Sequence, residues 1–340
     1  MTTLVTGATG FLGSHVARLL VQRGDAVRLL VRPSSSGRLL EGLPAEHVAG
    51  DLRDAESLRA AVAGVDSVYH VAADYRLWAR DPREIYESNV LGTKNLLEAA
   101  RRAGVARFVY TSTVATVAVT RNGALPDEAT ATSLAEMVGE YKRSKWLAER
   151  EALRAADAGL AVVIVNPTTP IGPGDAKPTP TGRILVDFLN GRMPAYVDTG
   201  LNFVAVEDAA AGHLLAADRG RVGDRYILGG ENLTLKAVLD MLSRISGRTA
   251  PRVRLPHAVA LAAGYADAAF SFVTRREPRI PLEGVRMARH SMFVNTERAR
   301  RELGFAPGPV AAALDRAVLW YQANGYVPAR TGGVAEAHAA

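Results

Sequence analysis

Three glycines, Gly7, Gly10 and Gly13, stand between a β-branched run and an apolar helical pattern, and they constrain the fold more than any other feature. Thr3 to Thr6 reads as a strand; Phe11 to Arg23 carries apolar residues at helical spacing and stops at Gly24. A strand that turns into a helix within a few residues needs positions without a Cβ. At such a turn backbone amides and the positive helix end can approach a pyrophosphate. The spacing G-x-x-G-x-x-G is one residue longer than the usual dinucleotide fingerprint.

The rhythm that follows suits that start. Ala26 to Val31, His47 to Ala49, Ser67 to Val71, Arg107 to Thr111 and Ala161 to Asn166 are further strand candidates at α/β spacing, the signature of right-handed βαβ units feeding a parallel sheet. Asp54 and Asp81-Pro82 read as helix starts, Gly104 as a helix stop. After Asn166-Pro167, the prolines 170, 173, 178 and 180 with Gly172, Gly174 and Gly182 mark a boundary loop. The sequence predicts a dinucleotide-binding unit over 1–168, with 202–218 (Asn202 to Val206 and a helix from Glu207 to Asp218) returning to it. A smaller interleaved substrate lobe takes 169–201 and 219–327, and the Gly- and Ala-rich tail, 328–340, is expected to fray.

Composition removes several function classes. No cysteine occurs among the 340 residues, which excludes disulfides, thiolate nucleophiles and thiolate metal sites. The seven histidines show no ligand spacing, so no metal is expected, and no G-x-S-x-G elbow is present. A net charge of +6 comes from scattered or paired basic residues, which argues against nucleic acid. Because residues 1–13 form a strand and turn instead of a leader, a cytoplasmic protein is expected. Ala258 to Val273 is too short to span a bilayer and contains Asp267. Packing in the core of the smaller lobe is the expectation for it, with peripheral membrane contact as the alternative.

Tyr141 and Lys145 lie one turn apart on one face of a helix. A tyrosine that exchanges a proton near neutral pH must lower a reference pKa of about 10 by about 3, or about 4 kcal/mol. One nearby ammonium at an effective dielectric of about 20 supplies energy of that order. Val31 stands where an acidic residue would bind the 2′-hydroxyl of NAD, and Arg32 follows, a cation that suits a 2′-phosphate. The cofactor expected is therefore NADP, with NAD open. Asp51-Leu52 fits contact with the adenine edge or a plain turn. Thr111-Ser112-Thr113 ends a strand at the sheet edge where ligands bind, and a hydroxyl there can hold a substrate oxygen. His70 reads as a satisfied core residue.

These residues resemble the extended short-chain dehydrogenase/reductases, whose T-G-x-x-G-x-x-G appears at Thr6 to Gly13 and whose Y-x-x-x-K appears at Tyr141 to Lys145. Supporting matches are Asp51-Leu52, His70 to Ala73, Asn89 to Thr93, Tyr110 to Thr113, Asn166-Pro167 and Phe203 to Asp208. The resemblance implies a Rossmann-type doubly wound α/β fold, with Thr113, Tyr141 and Lys145 catalytic. It places Gly7, Thr9, Gly10, Phe11, Leu12, Gly13, Arg32, Asp51 and Leu52 on the cofactor. Val71, Ala72, Ala73, Asn89, Thr111, Ser112, Asn166 and Pro167 join them, together with Tyr141 and Lys145. Tyr75, Trp78, Thr113 and Thr168 would face the substrate.

Within that superfamily the chain is similar to the dihydroflavonol 4-reductase branch and to the bacterial hopanoid-associated sugar epimerases, through Ala73 to Trp78, Lys177 to Arg183, Met193 to Gly200 and Leu228 to Asn232. Nucleotide-sugar epimerases usually carry Arg-Asp where this chain has Leu201-Asn202. The implied activity is hydride transfer at a secondary alcohol or ketone carbon of a small carbonyl, alcohol or sugar substrate. An NAD-retaining epimerase is the alternative; a non-catalytic NADP-sensing regulator is a rival of another class. A homodimer is left open.

Overall fold

The computed structural model describes residues 1–117, 124–276, 278 and 280–328. In the first half, strands and helices alternate as β1 (Thr2–Thr6), α1 (Phe11–Gln22), β2 (Ala26–Val31), β3 (Glu46–Ala49), α2 (Ala55–Val62) and β4 (Ser67–His70). They continue as α3 (Arg83–Tyr86), α4 (Gly92–Arg102), β5 (Arg107–Thr111), α5 (Glu140–Asp157) and β6 (Val162–Pro167). Asp54 caps α2 by accepting from the Glu56 amide, and Asp81 accepts from the Arg83 amide ahead of α3. The first is the N-cap role its type favours.

The second half runs β7 (Thr169–Ile171), α6 (Pro180–Leu189), β8 (Ala195–Val197), β9 (Gly200–Ala205), α7 (Val206–Arg219), β10 (Arg225–Leu228) and β11 (Glu231–Thr234). It ends with α8 (Leu235–Ser246), β12 (Val253–Leu255), α9 (His257–Thr274), α10 (Leu282–Met287), α11 (Glu297–Leu303) and α12 (Val310–Ala323).

Seven parallel strands form the main sheet in the order β10-β6-β5-β4-β1-β2-β3. The order reverses between β1 and β4, and the carboxyl ends of those strands open the crevice where such sheets bind ligands. Side chains alternate across it. Val5, Val109 and Val163 join the cluster with Val16 and Leu20 of α1 and Ala209 of α7. Their neighbours Leu4, Phe108 and Ile164 join Leu96 of α4 and Ala148 of α5 on the other face. The parallel sheet is the one the sequence rhythm predicts, and the architecture is the Rossmann-type doubly wound fold that the resemblance implies.

One strand goes elsewhere than expected. Asn202 to Val206 does not return to the main sheet; β9 pairs with β7 and β11 in a separate three-stranded sheet, and β10 is the strand that joins β6. The Asn202 side chain donates to Asn232 Oδ1 (2.8 Å) and accepts from the Gly230 amide (2.9 Å), which binds β9 to β11. Helix α7 then crosses back over the sheet and delivers β10.

A second core lies under the smaller lobe, where Leu185, Phe203, Leu239 and Leu314 pack together. Val327, the last residue of the expected lobe, is buried in it; residues 329–340 of the expected tail lie outside the described residues. Helix α9 is a further correction. Only Ala260, Gly264 and Ser271 are buried along it, so core packing does not account for its apolar composition.

Candidate active site

The glycine turn lies at the switch point. Gly7 has φ +75°, and a Cβ there would sit 2.5 Å from the Ala72 amide nitrogen. A Cβ on Gly13 would sit 2.1 Å from the Gly7 carbonyl oxygen. Val71, Ala72 and Ala73 leave β4 directly over Gly7, tied by the Val71 amide to the Thr6 carbonyl (3.2 Å) and the Ala72 amide to Thr6 Oγ1 (3.3 Å). The α1 N-terminus has glycine at its cap, no side-chain hydrogen bond on its first amides and no acidic residue in its first turn. Phe11 and Leu12 begin that turn, with Thr9 half-buried just ahead. An uncapped helix start behind a cradle that any side chain would fill fits a nucleotide pyrophosphate.

Arg32 follows β2, exposed, and makes no ion pair or side-chain hydrogen bond among the described residues. Its charge reaches Asp51, whose carboxyl is lowered to about 2, first by hydrogen bonding from Arg53. Arg53 donates from Nε (3.0 Å) and Nη2 (2.8 Å) to the Asp51 carboxylate, while Leu52 is buried and accepts from Asn95 Nδ2 at its carbonyl (3.1 Å).

The candidate proton-transfer residues come together from α5 and the segment after β5, on the carboxyl edge. Tyr141 lies in the first turn of α5, half-buried, and burial raises its phenol above the ordinary value. The Thr113 hydroxyl, just past β5, is close enough to pull that pKa back down. Lys145, one turn further along α5 and 2% exposed, donates from Nζ to the Thr111 carbonyl (2.7 Å) and lies 4.6 Å from the centre of the Tyr110 ring. Burial lowers its ammonium to about 7, opposed by the charge of Glu149.

Glu149 was not singled out from sequence. Buried four residues after Lys145, its carboxylate accepts from Ser112 Oγ (2.5 Å), Thr116 Oγ1 (3.0 Å), Asn166 Nδ2 (3.1 Å) and Arg225 Nη1 (3.0 Å). Asn166 also donates to the Thr113 carbonyl (3.0 Å). One carboxylate thus ties the segment after β5, α5, β6 and β10 together behind Thr113. The only sequence signal for it is an acidic residue at the next helical turn after Lys145.

Asn89 sits in a widened, π-type turn over Glu87–Leu91, a local geometry often found at functional sites. Its Nδ2 donates to the Asp74 carbonyl (2.8 Å) and Ser144 Oγ (2.9 Å), and its Oδ1 accepts from the Asp74 amide (2.7 Å). It therefore holds the 73–75 segment against α5. Tyr75 and Trp78 are 41% and 37% exposed on the rim. Pro167 pairs inside the sheet with Leu228, and Thr168 is buried, its amide on the Leu228 carbonyl (3.1 Å). Leu201 lines a small apolar hollow with Ile184, Leu185, Phe203, Leu235 and Val238, away from these groups.

His70 is a satisfied core residue. Thr6 Oγ1 (2.7 Å) and Thr93 Oγ1 (2.9 Å) engage its two ring nitrogens, and burial lowers it to about 3. Among the described residues no cluster of metal-ligating side chains forms.

Comparison with known proteins accords with this geometry. Residues 3–229 match the sequence profile of the NAD-dependent epimerase/dehydratase family. The chain belongs to that family. A Synechocystis protein provisionally named a dihydroflavonol 4-reductase is 46% identical over 327 residues, 95% of each chain. Sterol demethylase protein B of Methylococcus capsulatus is 38% identical over 331 residues, covering 96% of this chain and all of that one. A solved nucleoside-diphosphate-sugar epimerase of Pseudomonas aeruginosa superposes with a TM-score of 0.79 at 30% identity, covering 96% of this chain and 99% of that one. Membership in the epimerase/dehydratase family makes nicotinamide-nucleotide dependence the property of the class, and the names of the relatives span both reduction and epimerisation.

Proposed function

We propose that this family member is an NADPH-dependent reductase that converts a ketone of an apolar small molecule to a secondary alcohol. The observation that carries the proposal is Tyr141, whose phenol lies beside the Thr113 hydroxyl and one turn from the Lys145 ammonium, on the sheet edge that holds the glycine cradle. A bound nicotinamide nucleotide supplies the hydride. Tyr141 gives its phenolic proton to the substrate oxygen, and Thr113 orients that oxygen. Lys145, fixed on the Thr111 carbonyl, favours the tyrosinate left behind. The amides from Gly7 to Gly13 and the start of α1 would hold the pyrophosphate, Arg32 the 2′-phosphate, and Asp51 and Leu52 the adenine side. The second lobe would close the substrate side, with Tyr75 and Trp78 on its rim and Thr168 beneath.

Three features favour reduction over epimerisation. Arg32 suits NADP, Leu201-Asn202 replaces the Arg-Asp of nucleotide-sugar epimerases, and the Synechocystis relative carries a reductase name. Asn202 is spent on the β9–β11 ladder and Leu201 on an apolar hollow, so neither offers a charge to a sugar nucleotide. The name of the Methylococcus relative supports an apolar, polycyclic substrate. The likeness to the Pseudomonas epimerase favours the second reading, an epimerase that keeps NAD and returns the hydride. A non-catalytic nucleotide sensor would have no use for Tyr141 and Lys145 together.

Denaturing freshly purified protein and identifying the released nucleotide separates the two enzymes. The reductase reading expects no stoichiometric nucleotide, and tight uptake of NADPH from solution by both wild type and Tyr141→Phe. Stoichiometric NAD surviving purification would establish the epimerase instead.

A further inference from the structure

Along α9 the exposed positions come in pairs: Ala258 and Val259, Ala262 and Ala263, Tyr265 and Ala266, Ala269 and Phe270, Phe272 and Val273. Their spacing of three and four residues makes one continuous apolar stripe about 22 Å long at 1.5 Å per residue. The opposite side of the helix packs on α10, where a Cβ on Gly264 would lie 3.4 Å from Leu282 and 3.5 Å from Val285. Exposure rises toward the C-terminal end, to 87% at Phe272 and 80% at Val273. Exposed aromatic residues in such a row are costly to leave in water and mark an interaction surface.

The charges around the stripe say what covers it. Arg275 and Arg276, both exposed, follow the aromatic end, and residues 275–279 carry three arginines against Glu277 alone. Arg252 and Arg254 are exposed just ahead of the other end, Arg254 paired with Asp198 (2.7 Å). A second copy laid along α9 would set cations against cations in either orientation, parallel or antiparallel. An anionic bilayer surface meets both ends favourably, and apolar residues beside Arg suit the boundary between headgroups and acyl chains.

The element on which α9 packs, on the side away from the stripe, reaches the site. Helix α10, on which α9 packs, reaches the start of α5 through Glu283, whose carboxylate accepts from the Glu140 amide (3.1 Å), one residue before Tyr141. A Cβ on Gly284 would lie 3.7 Å from Leu77, in the rim segment between Tyr75 and Trp78. We propose that the exposed face of α9 docks on an anionic lipid bilayer, with Phe270, Phe272 and Val273 entering the headgroup boundary and Arg275 and Arg276 on lipid phosphates. It is a peripheral attachment, since no described helix is long and apolar enough to cross a membrane.

The proposal stands apart from the hydride-transfer reading, because its test needs no turnover. Full-length protein is sedimented with vesicles of phosphatidylcholine alone and of phosphatidylcholine mixed equally with phosphatidylglycerol, with light scattering on the free protein. Wild type is expected to sediment with the mixed vesicles. Phe272→Ser with Val273→Ser should weaken binding by roughly tenfold or more on both, and Arg275→Glu with Arg276→Glu should remove only the gain from the anionic lipid. These positions are exposed, and circular dichroism checks that each variant is folded. Wild type left in the supernatant with both vesicles, or sedimentation unchanged by the Phe272 variant, overturns the proposal. A wild-type dimer that the same variant dissociates, without vesicle binding, assigns the face to a second copy and overturns it too.

Discussion

That Tyr141, Lys145 and Thr113 come together could be read from the sequence, because the proposed chemistry demands those residue types and a helix fixes the spacing of two of them. Glu149 could not, because its importance lies in groups that only the folded chain brings together. It faces Ser112 and Thr116 after β5, Asn166 of β6 and Arg225 of β10. Its charge opposes the burial that lowers Lys145 to about 7. A cationic Lys145 is the form that favours the tyrosinate, so activity should fall as pH rises through the lysine pKa. Glu149→Gln keeps an acceptor for the hydroxyls and removes the charge, and the lysine pKa should drop further. We predict that the alkaline limb of kcat/KM moves to lower pH by about one unit in Glu149→Gln. An unmoved limb with a uniformly reduced rate would make Glu149 a structural residue only. At the same scale, Thr113→Ser should retain most of the rate and Thr113→Val little, measured as kcat with saturating NADPH. Damage from Ser112→Ala greater than from Thr113→Val would move the assignment within the run.

Among elements, the first six strands and α1 followed from β-branched runs, helical periodicity and stop residues, since local pattern and packing agree there. The destinations of later elements did not. Whether a strand joins the main sheet or a second one depends on partners such as Asn232 and Gly230, which hold Asn202 in β9. Helix α9 has a composition that reads as core, yet most of its outer face is exposed, with Arg286 lying over Tyr265 (5.6 Å from the ring centre). Pattern reports what a segment buries well, not what it is given to pack against. The glycine turn is the element where local geometry is most exacting. Gly13→Ala puts a Cβ into the Gly7 carbonyl, whereas one at Gly10 meets that oxygen only at 3.2 Å. Gly13→Ala should therefore cost about 1–3 kcal/mol and weaken NADPH binding by roughly tenfold or more, with Gly10→Ala milder in both respects. Urea unfolding and fluorescence titration of NADPH read the two, and equal effects at the two positions would contradict the cradle geometry.

Taken whole, the molecule sets a nucleotide crevice in one lobe against an interleaved second lobe. Asp175 fastens that lobe by accepting from the Thr179 amide (2.9 Å) at the start of α6 and from the Tyr321 hydroxyl (2.9 Å) of α12. The overall class followed from the alternation of strands and helices, while the interleaving was legible only as a change of texture after Pro167. The proposed preference for NADPH rests on a single exposed side chain at its edge, Arg32. The central claim, an NADPH-dependent reductase, is tested most directly by calorimetric titration of NADPH and NADH into wild type and Arg32→Ala. A charge-assisted hydrogen bond to the 2′-phosphate contributes roughly 1.5–3 kcal/mol. Arg32→Ala should then lose about 10- to 150-fold in NADPH affinity and almost nothing for NADH. Wild-type protein that binds NADH as tightly as NADPH, or more tightly, would contradict the account and put the epimerase reading ahead.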